Sequence, residues 1–110
     1  PAEDSLTVRA RVVAARQRQL QRYKGLSIRT NAQMDGKHIE ELAQVSPEAL
    51  ALLHRVMEQM RFSMRAYGRL IKVARTIADL GGEERVEVPA MAEAIQYRRM
   101  DAKYWGDQHA

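Results

Sequence analysis

Residues Ser63 to Gly82 read SMRAYGRLIKVARTIADLGG, and this stretch decides the fold class. Ser63 has a hydroxyl able to accept from an unpaired amide of a first helical turn, and Gly81-Gly82 suit the left-handed turn that closes a helix. Between them, Met64, Ile71, Ala74 and Ala78 form one apolar row, with Leu70, Val73, Ile77 and Leu80 in a second row beside it. The spacing predicts one helix of about five turns. Stepping about 100° per residue, Arg65, Arg69 and Lys72 fall within an arc of roughly 60°. Arg65 sits in the first turn, where free amides and the positive end of the helix dipole already favour an anion. From periodicity alone, this stripe is either a solvated basic face or one wall of an anion site.

Working outward, Arg61-Phe62 is so short a join that it predicts antiparallel packing of the two flanking helices. The upstream partner opens at Ser46-Pro47-Glu48, with a capping serine, proline at the first helical position and an acid in the first turn. It runs to about Met60, with Leu50, Leu53, Val56, Met57 and Met60 predicted inward. Before it, Asp35 or Gly36 caps a short helix carrying Ile39, Leu42 and Ala43. Downstream of Gly82, EERVEV is too short for more than an extended connector, and Pro89 opens a last helix through about Met100 with Met91, Ala94, Ile95 and Arg98 spaced along it.

The first helix is predicted from a Ser5 cap to about Lys24, stopped by Gly25. Val8, Val12 and Ala15 on one side, and Leu6, Val13 and Leu20 on an adjacent one, predict a broad apolar face, with Arg16 at its edge or paired to a carboxylate. Arg9, Arg11, Arg18 and Arg22 make this the most basic helix and the candidate contact to a nucleic-acid backbone; a surface helix joining two domains has the same pattern. LSIRTNAQMD, residues 26–35, reads as a loop pinned by isolated apolar residues. Asp79 lies four residues after Arg75 and is expected to form an exposed pair worth about 0.3 to 0.5 kcal/mol.

The chain has 110 residues, enough for one domain with its own core, and 45% are apolar but only 5% aromatic, so aliphatic and methionine packing has to supply that core. There is no cysteine, which excludes disulfides and thiolate metal sites. His38, His54 and His109 stand alone, without a second histidine at ligand spacing, so no metal site is expected. The serines read as caps and turns, with no nucleophile beside a local base. No apolar run reaches the length of a membrane span or signal core, which predicts a cytoplasmic chain without membrane contact. A formal charge of +4 points weakly to anionic partners.

The wording of the central helix, together with EAIQYRRMD at Glu93 to Asp101, VRARVVAARQRQ at Val8 to Gln19 and the Asn31-Ala32 pair, resembles the C-terminal helical domain of the magnesium-chelatase-like AAA+ ATPases, in particular the ComM-like group. The likeness covers almost the whole chain. It implies an all-α bundle of the AAA+ lid type, of about four to five helices, with residues 1–110 forming one lid domain and 101–110 a looser tail. In that family the lid packs over ATP held by a preceding P-loop domain. The Ser63-Met64-Arg65 context matches the one that carries the sensor-2 arginine, so Arg65 is the candidate catalytic residue. Arg69 joins it as a candidate nucleotide contact on the same stripe; Arg69 and Arg75 also match family positions, but no family role is carried to them. The chain departs from a complete ATPase. Its Gly36-Lys37 pair is followed by His38 rather than Ser or Thr, so no G-x-x-x-x-G-K-[ST] loop is present, and no buried parallel strand carries an acidic pair. The resemblance therefore implies ATP and Mg2+ for a longer parent, none bound by these residues alone, with the chain's own N-terminal P-loop domain and a homo-oligomeric ring as partners. DNA is a further candidate partner, since DNA processing fits the ComM-like group; a stand-alone basic nucleic-acid binder and the motor subunit of a true magnesium chelatase are the alternatives. The residues do not specify what Trp105 packs against.

Overall fold

Each of the first four helices begins where a side chain can take up a free amide of its first turn. The computed structural model describes the backbone of residues 4–109 and the side chains of residues 4–100. Helix α1 (Ser5–Arg22) is capped by Asp4, whose Oδ1 accepts from the Thr7 amide at 2.7 Å, one residue before the predicted serine. A 3₁₀ turn at Asn31–Gln33 leads to α2 (Gly36–Leu42), capped by Asp35. Helix α3 (Pro47–Met60) is capped by Ser46 and α4 (Met64–Leu80) by Ser63, each hydroxyl accepting from the amide three residues on. Helix α5 spans Val88–His109, beginning one residue before Pro89 and running beyond the predicted end at Met100. The Trp105 side chain lies outside the described residues.

The helix ends also follow local chemistry. Gly82 takes φ +73°, and the Glu83 amide returns to the Ala78 carbonyl at 2.8 Å, which closes α4 in a left-handed turn that a Cβ would strain. The end of α3 achieves the same reversal without glycine, because Arg61 adopts φ 53°, ψ 43°. No strand occurs among the described residues. The EERVEV connector is tethered by one parallel bridge, with the Ser46 amide donating to the Val86 carbonyl and the Val86 amide to the Gln44 carbonyl, both at 2.9 Å.

The bundle is centred on α4, which packs against α5, α1, α2 and the 3₁₀ turn, while α3 packs on α5. Leu70, Ile71, Ala74 and Ala78 of α4 meet a core completed by Ala90, Met91, Ala94 and Ile95 of α5 and Ala49, Leu53 and Val56 of α3. The alanines on α4 and α5 let the two backbones approach, and Met34 and Met91 fill the irregular space that a chain with few aromatics leaves. Ile28 and Met34 are buried, so the loop before α2 is pinned to the core as its isolated apolar residues predict.

Three predicted faces differ. Met64 and Val73 belong to the apolar rows of α4 by periodicity, yet Met64 is 77% exposed and Val73 is exposed as well, because no element covers that part of the helix. Met60 at the end of α3 is exposed for the same reason. Most of all, the broad apolar face of α1 is not buried: of its six apolar residues only Ala15 is covered, and Leu6, Val8, Val12, Val13 and Leu20 are exposed. A helix at the edge of a small bundle is covered on one side only, and α1 meets α4 and the 3₁₀ turn through its C-terminal half, from Ala15 to Arg22. Arg16 lies at the exposed edge.

Candidate functional site

The site is built on the start of α4. Ser63 is extended, and its hydroxyl accepts from the Ala66 amide at 3.2 Å, which fixes the first turn. The left-handed Arg61 and the single Phe62 turn the chain back from α3, and the ring of Phe62 lies 5.6 Å under the Arg98 guanidinium of α5. Arg65 follows as the second residue of α4, exposed at the rim of the bundle, and Arg69 is exposed one turn further on. Lys72 is half-buried. Among the described residues, none of these three cations has an ion pair or hydrogen bond to its side chain.

The three side chains line an open groove of about 1120 Å³ between α2 and α4. Met34, Ile39, Leu50 and Ile71 give it an apolar lining, and Asp35, Glu40 and Glu41 stand among its other residues. Gly68 sits where α2 crosses, since a Cβ there would lie 3.7 Å from Ile39 Cδ1. The groove thus combines apolar surface with cations whose donors are unengaged, an arrangement suited to a planar apolar group joined to an anion. Arg65, Arg69 and Lys72 are the cations of this lining, and Asp35, Glu40 and Glu41 its carboxylates.

The other end of α4 is a different environment. Arg75 and Asp79 form not an exposed pair but a buried one, both almost fully excluded from solvent, because the C-terminal parts of α1 and α4 close over them. Asp79 receives Arg22 in a two-pronged contact, Nη1 at 2.9 Å and Nη2 at 2.6 Å, and Asn31 Nδ2 at 2.9 Å, with Arg75 Nη2 at 3.0 Å. Asn31 Nδ2 also donates to Thr76 Oγ1 at 3.0 Å and Tyr23 Oη donates to Asn31 Oδ1 at 2.6 Å. The Gln19 side chain accepts from the Asn31 amide at 3.0 Å. Burial alone would raise the Asp79 carboxyl, but the hydrogen bonds from Arg22 and Asn31 and the charges of Arg75 and Arg22 outweigh it and hold the group below the ordinary 3.8. Burial pulls Arg75 down, and burial raises the Tyr23 phenol.

Arg75 also serves the backbone. Its Nη1 donates to the carbonyls of Ala43 and Glu84 at 3.0 and 2.9 Å and its Nη2 to Glu83 at 2.8 Å, so one guanidinium ties the end of α2 and the connector after α4 to the core. Arg75 is thereby a structural anchor, and the structure separates it from Arg65 and Arg69, which line the groove together. Sequence reasoning missed the roles of Gln19, Arg22, Tyr23 and Asn31. The only available signal was the Asn31-Ala32 pair, which carries part of the family resemblance in a segment otherwise read as a loop.

Comparison with known proteins bears on what this bundle is. Residues 2–98 match the family model described as magnesium chelatase, subunit ChlI C-terminal. The chain belongs to this family. Over 101 residues it is 38% identical to the uncharacterized protein YifB of Escherichia coli K12, covering 92% of this chain and 19% of that protein. Over 98 residues it is 37% identical to the competence protein ComM of Haemophilus influenzae, covering 89% of this chain and 18% of that protein. An uncharacterized protein of Mycobacterium tuberculosis H37Rv is 30% identical over 101 residues, 92% of this chain and 20% of that protein. The chain therefore spans about one fifth of the length of these curated relatives, and it is a ComM-like lid domain of the magnesium-chelatase type. No helix among the described residues is long and apolar enough to cross a membrane, and no group of three or more potential ligands there could hold a metal ion.

Proposed function

We propose that this domain is the nucleotide-sensing lid of an ATP-driven AAA+ machine, with Arg65 as its sensor-2 arginine and Arg69 as a second contact to the phosphates. The observation that carries this reading is an arginine in the first turn of a serine-capped helix, exposed at an apolar groove and without any ion pair among the described residues. An arginine with no internal partner has its five donors available for an oxyanion, and the free amides of the same turn add to the attraction. When bound, ATP with Mg2+ on the parent's P-loop domain supplies the phosphoanhydride whose cleavage drives the cycle. The work of this chain is to bring Arg65 to the outer phosphates when the lid closes and to lose that contact after hydrolysis, so that nucleotide state becomes a domain angle.

In a homo-oligomeric ring that angle passes to neighbours, which is how such a motor remodels a substrate in the cytoplasm. Resemblance to the ComM-like group inclines the reading towards DNA processing; magnesium insertion is the alternative output of the same module. The test is Arg65→Ala in the full-length parent. A charge-assisted contact of this kind is worth about 1.5 to 3 kcal/mol, so ATP turnover is expected to fall by roughly ten- to a hundredfold. Unchanged turnover removes Arg65 from the site. Loss of turnover together with loss of folding would assign it a structural role instead.

A further inference from the structure

Helix α1 presents an apolar row to solvent on the side that the bundle does not use. Its packed side is marked by contacts: Ala15 is buried, Gln19 accepts from the Asn31 amide and Arg22 reaches Asp79. Leu6, Val13 and Leu20 recur every seventh residue and lie roughly 150° around the helix from that side. They are 74%, 50% and 50% exposed. A seven-residue apolar repeat keeps one stripe aligned along a helix; with Arg9, Ala10, Arg16 and Gln17 at the intervening positions it is narrower than a full coiled-coil seam, and a second helix laid along it would bury it. None of these residues lines the groove between α2 and α4.

The rim of the row selects the partner. Arg9 and Arg16, also seven apart, run along one edge of it and are exposed. Between Ser5 and Lys24 the chain has no Asp or Glu, so α1 offers no carboxylate of its own to this edge. An antiparallel pairing of two copies centred on Val13 would bring Arg9 and Arg16 of both onto one edge, where like charges repel. A nucleic-acid backbone would use the arginines but leave the aliphatic row unburied. We propose that the outward face of α1 is a docking surface for an amphipathic helix of a partner protein, one that carries an apolar row flanked by carboxylates. This surface is separate from the nucleotide reading and stands if Arg65 proves uninvolved.

The experiment uses a fluorescent synthetic helix of about 20 residues with leucine at every seventh position and glutamate beside it, titrated with the 110-residue chain and followed by anisotropy. Binding is expected, weakening at least about tenfold in Leu6→Gln/Val13→Gln, with the affinity of Arg9→Glu/Arg16→Glu shifting to a lysine-flanked version of the same helix. All four positions are exposed, so helix content by circular dichroism should not change. Absence of binding up to about 1 mM, or affinity unaffected by these substitutions, overturns the proposal. Tighter binding to a DNA duplex that the Leu6→Gln/Val13→Gln variant retains also overturns it. So does concentration-dependent self-association that this variant abolishes, since the occupant would then be a second copy.

Discussion

Arg65 and Arg75 sit on the same helix, carry the same guanidinium and end in opposite surroundings. Arg75 is fully buried, faces a carboxylate and donates to three backbone carbonyls. Arg65 is exposed at a groove, and none of its donors is engaged among the described residues. The difference shows that an arginine's work is set by which acceptors the fold brings to it. Helix position and residue type leave that open. At the C-terminal end of α4, four elements of the chain supply acceptors and partners; at the N-terminal end, no described element brings an acceptor to the charge.

The sharpest way to break this comparison is to remove the acceptor at the buried end. Asp79→Ala leaves Arg22 and Arg75 facing each other without a counter-charge, and a destabilisation of about 3 to 5 kcal/mol is expected in denaturant unfolding of the 110-residue chain. A change below about 0.5 kcal/mol would mean that the network contributes little and that the two ends are alike. Protonation is a gentler form of the same loss. Because Asp79 is held below its ordinary 3.8 when folded, its contribution is complete above that value and disappears as pH falls through the lower folded value. Stability of the wild-type chain should therefore decline below about pH 4, and Asp79→Asn, already weaker at neutral pH, should decline less steeply over the same window.

Arg65→Ala probes the other end. In the 110-residue chain it should shift unfolding by no more than about 0.5 kcal/mol, while in the full-length parent it should produce the loss of ATP turnover given above. A large stability loss in the small chain would erase the contrast with Arg75. The smallest effect concerns the turn that places Arg65. Arg61 holds a left-handed conformation at φ 53°, which a Cβ disfavours, so Arg61→Gly should stabilise the chain by a few tenths to about 1 kcal/mol in thermal unfolding. Destabilisation would show that the Arg61 side chain does more than tolerate the turn.

Much of the fold could be read from short-range chemistry. Ser46-Pro47-Glu48, Ser63 and Gly82 mark helix ends because the groups they satisfy lie within a few residues, whereas the antiparallel packing expected of the two helices that flank Arg61-Phe62 is not what the fold adopts: α3 packs on α5, which also covers α4, and a short join fixes only that two helices are consecutive. The candidate site was legible only in part. Arg65 on the first turn was visible in the sequence, but the α2 side of the groove was not, since the approach of Ile39 to Gly68 joins residues far apart in the chain. The exposed Arg75–Asp79 pair was a reasonable expectation from a four-residue spacing, and it failed because Arg22 lies 57 residues from Asp79 and cannot be assigned to it by any local rule.

What the sequence by itself determined is the set of helices, most of their caps and the position of one arginine at a helix start, all consequences of hydrogen bonding and periodicity within a turn or two. Tertiary structure alone decided which guanidinium is buried, which lines a groove and that the apolar row of α1 points outward. The physical reason is that burial belongs to pairs of surfaces. A helix carries its own stripe in its sequence, whereas the element that covers the stripe, or fails to, comes from elsewhere in the chain.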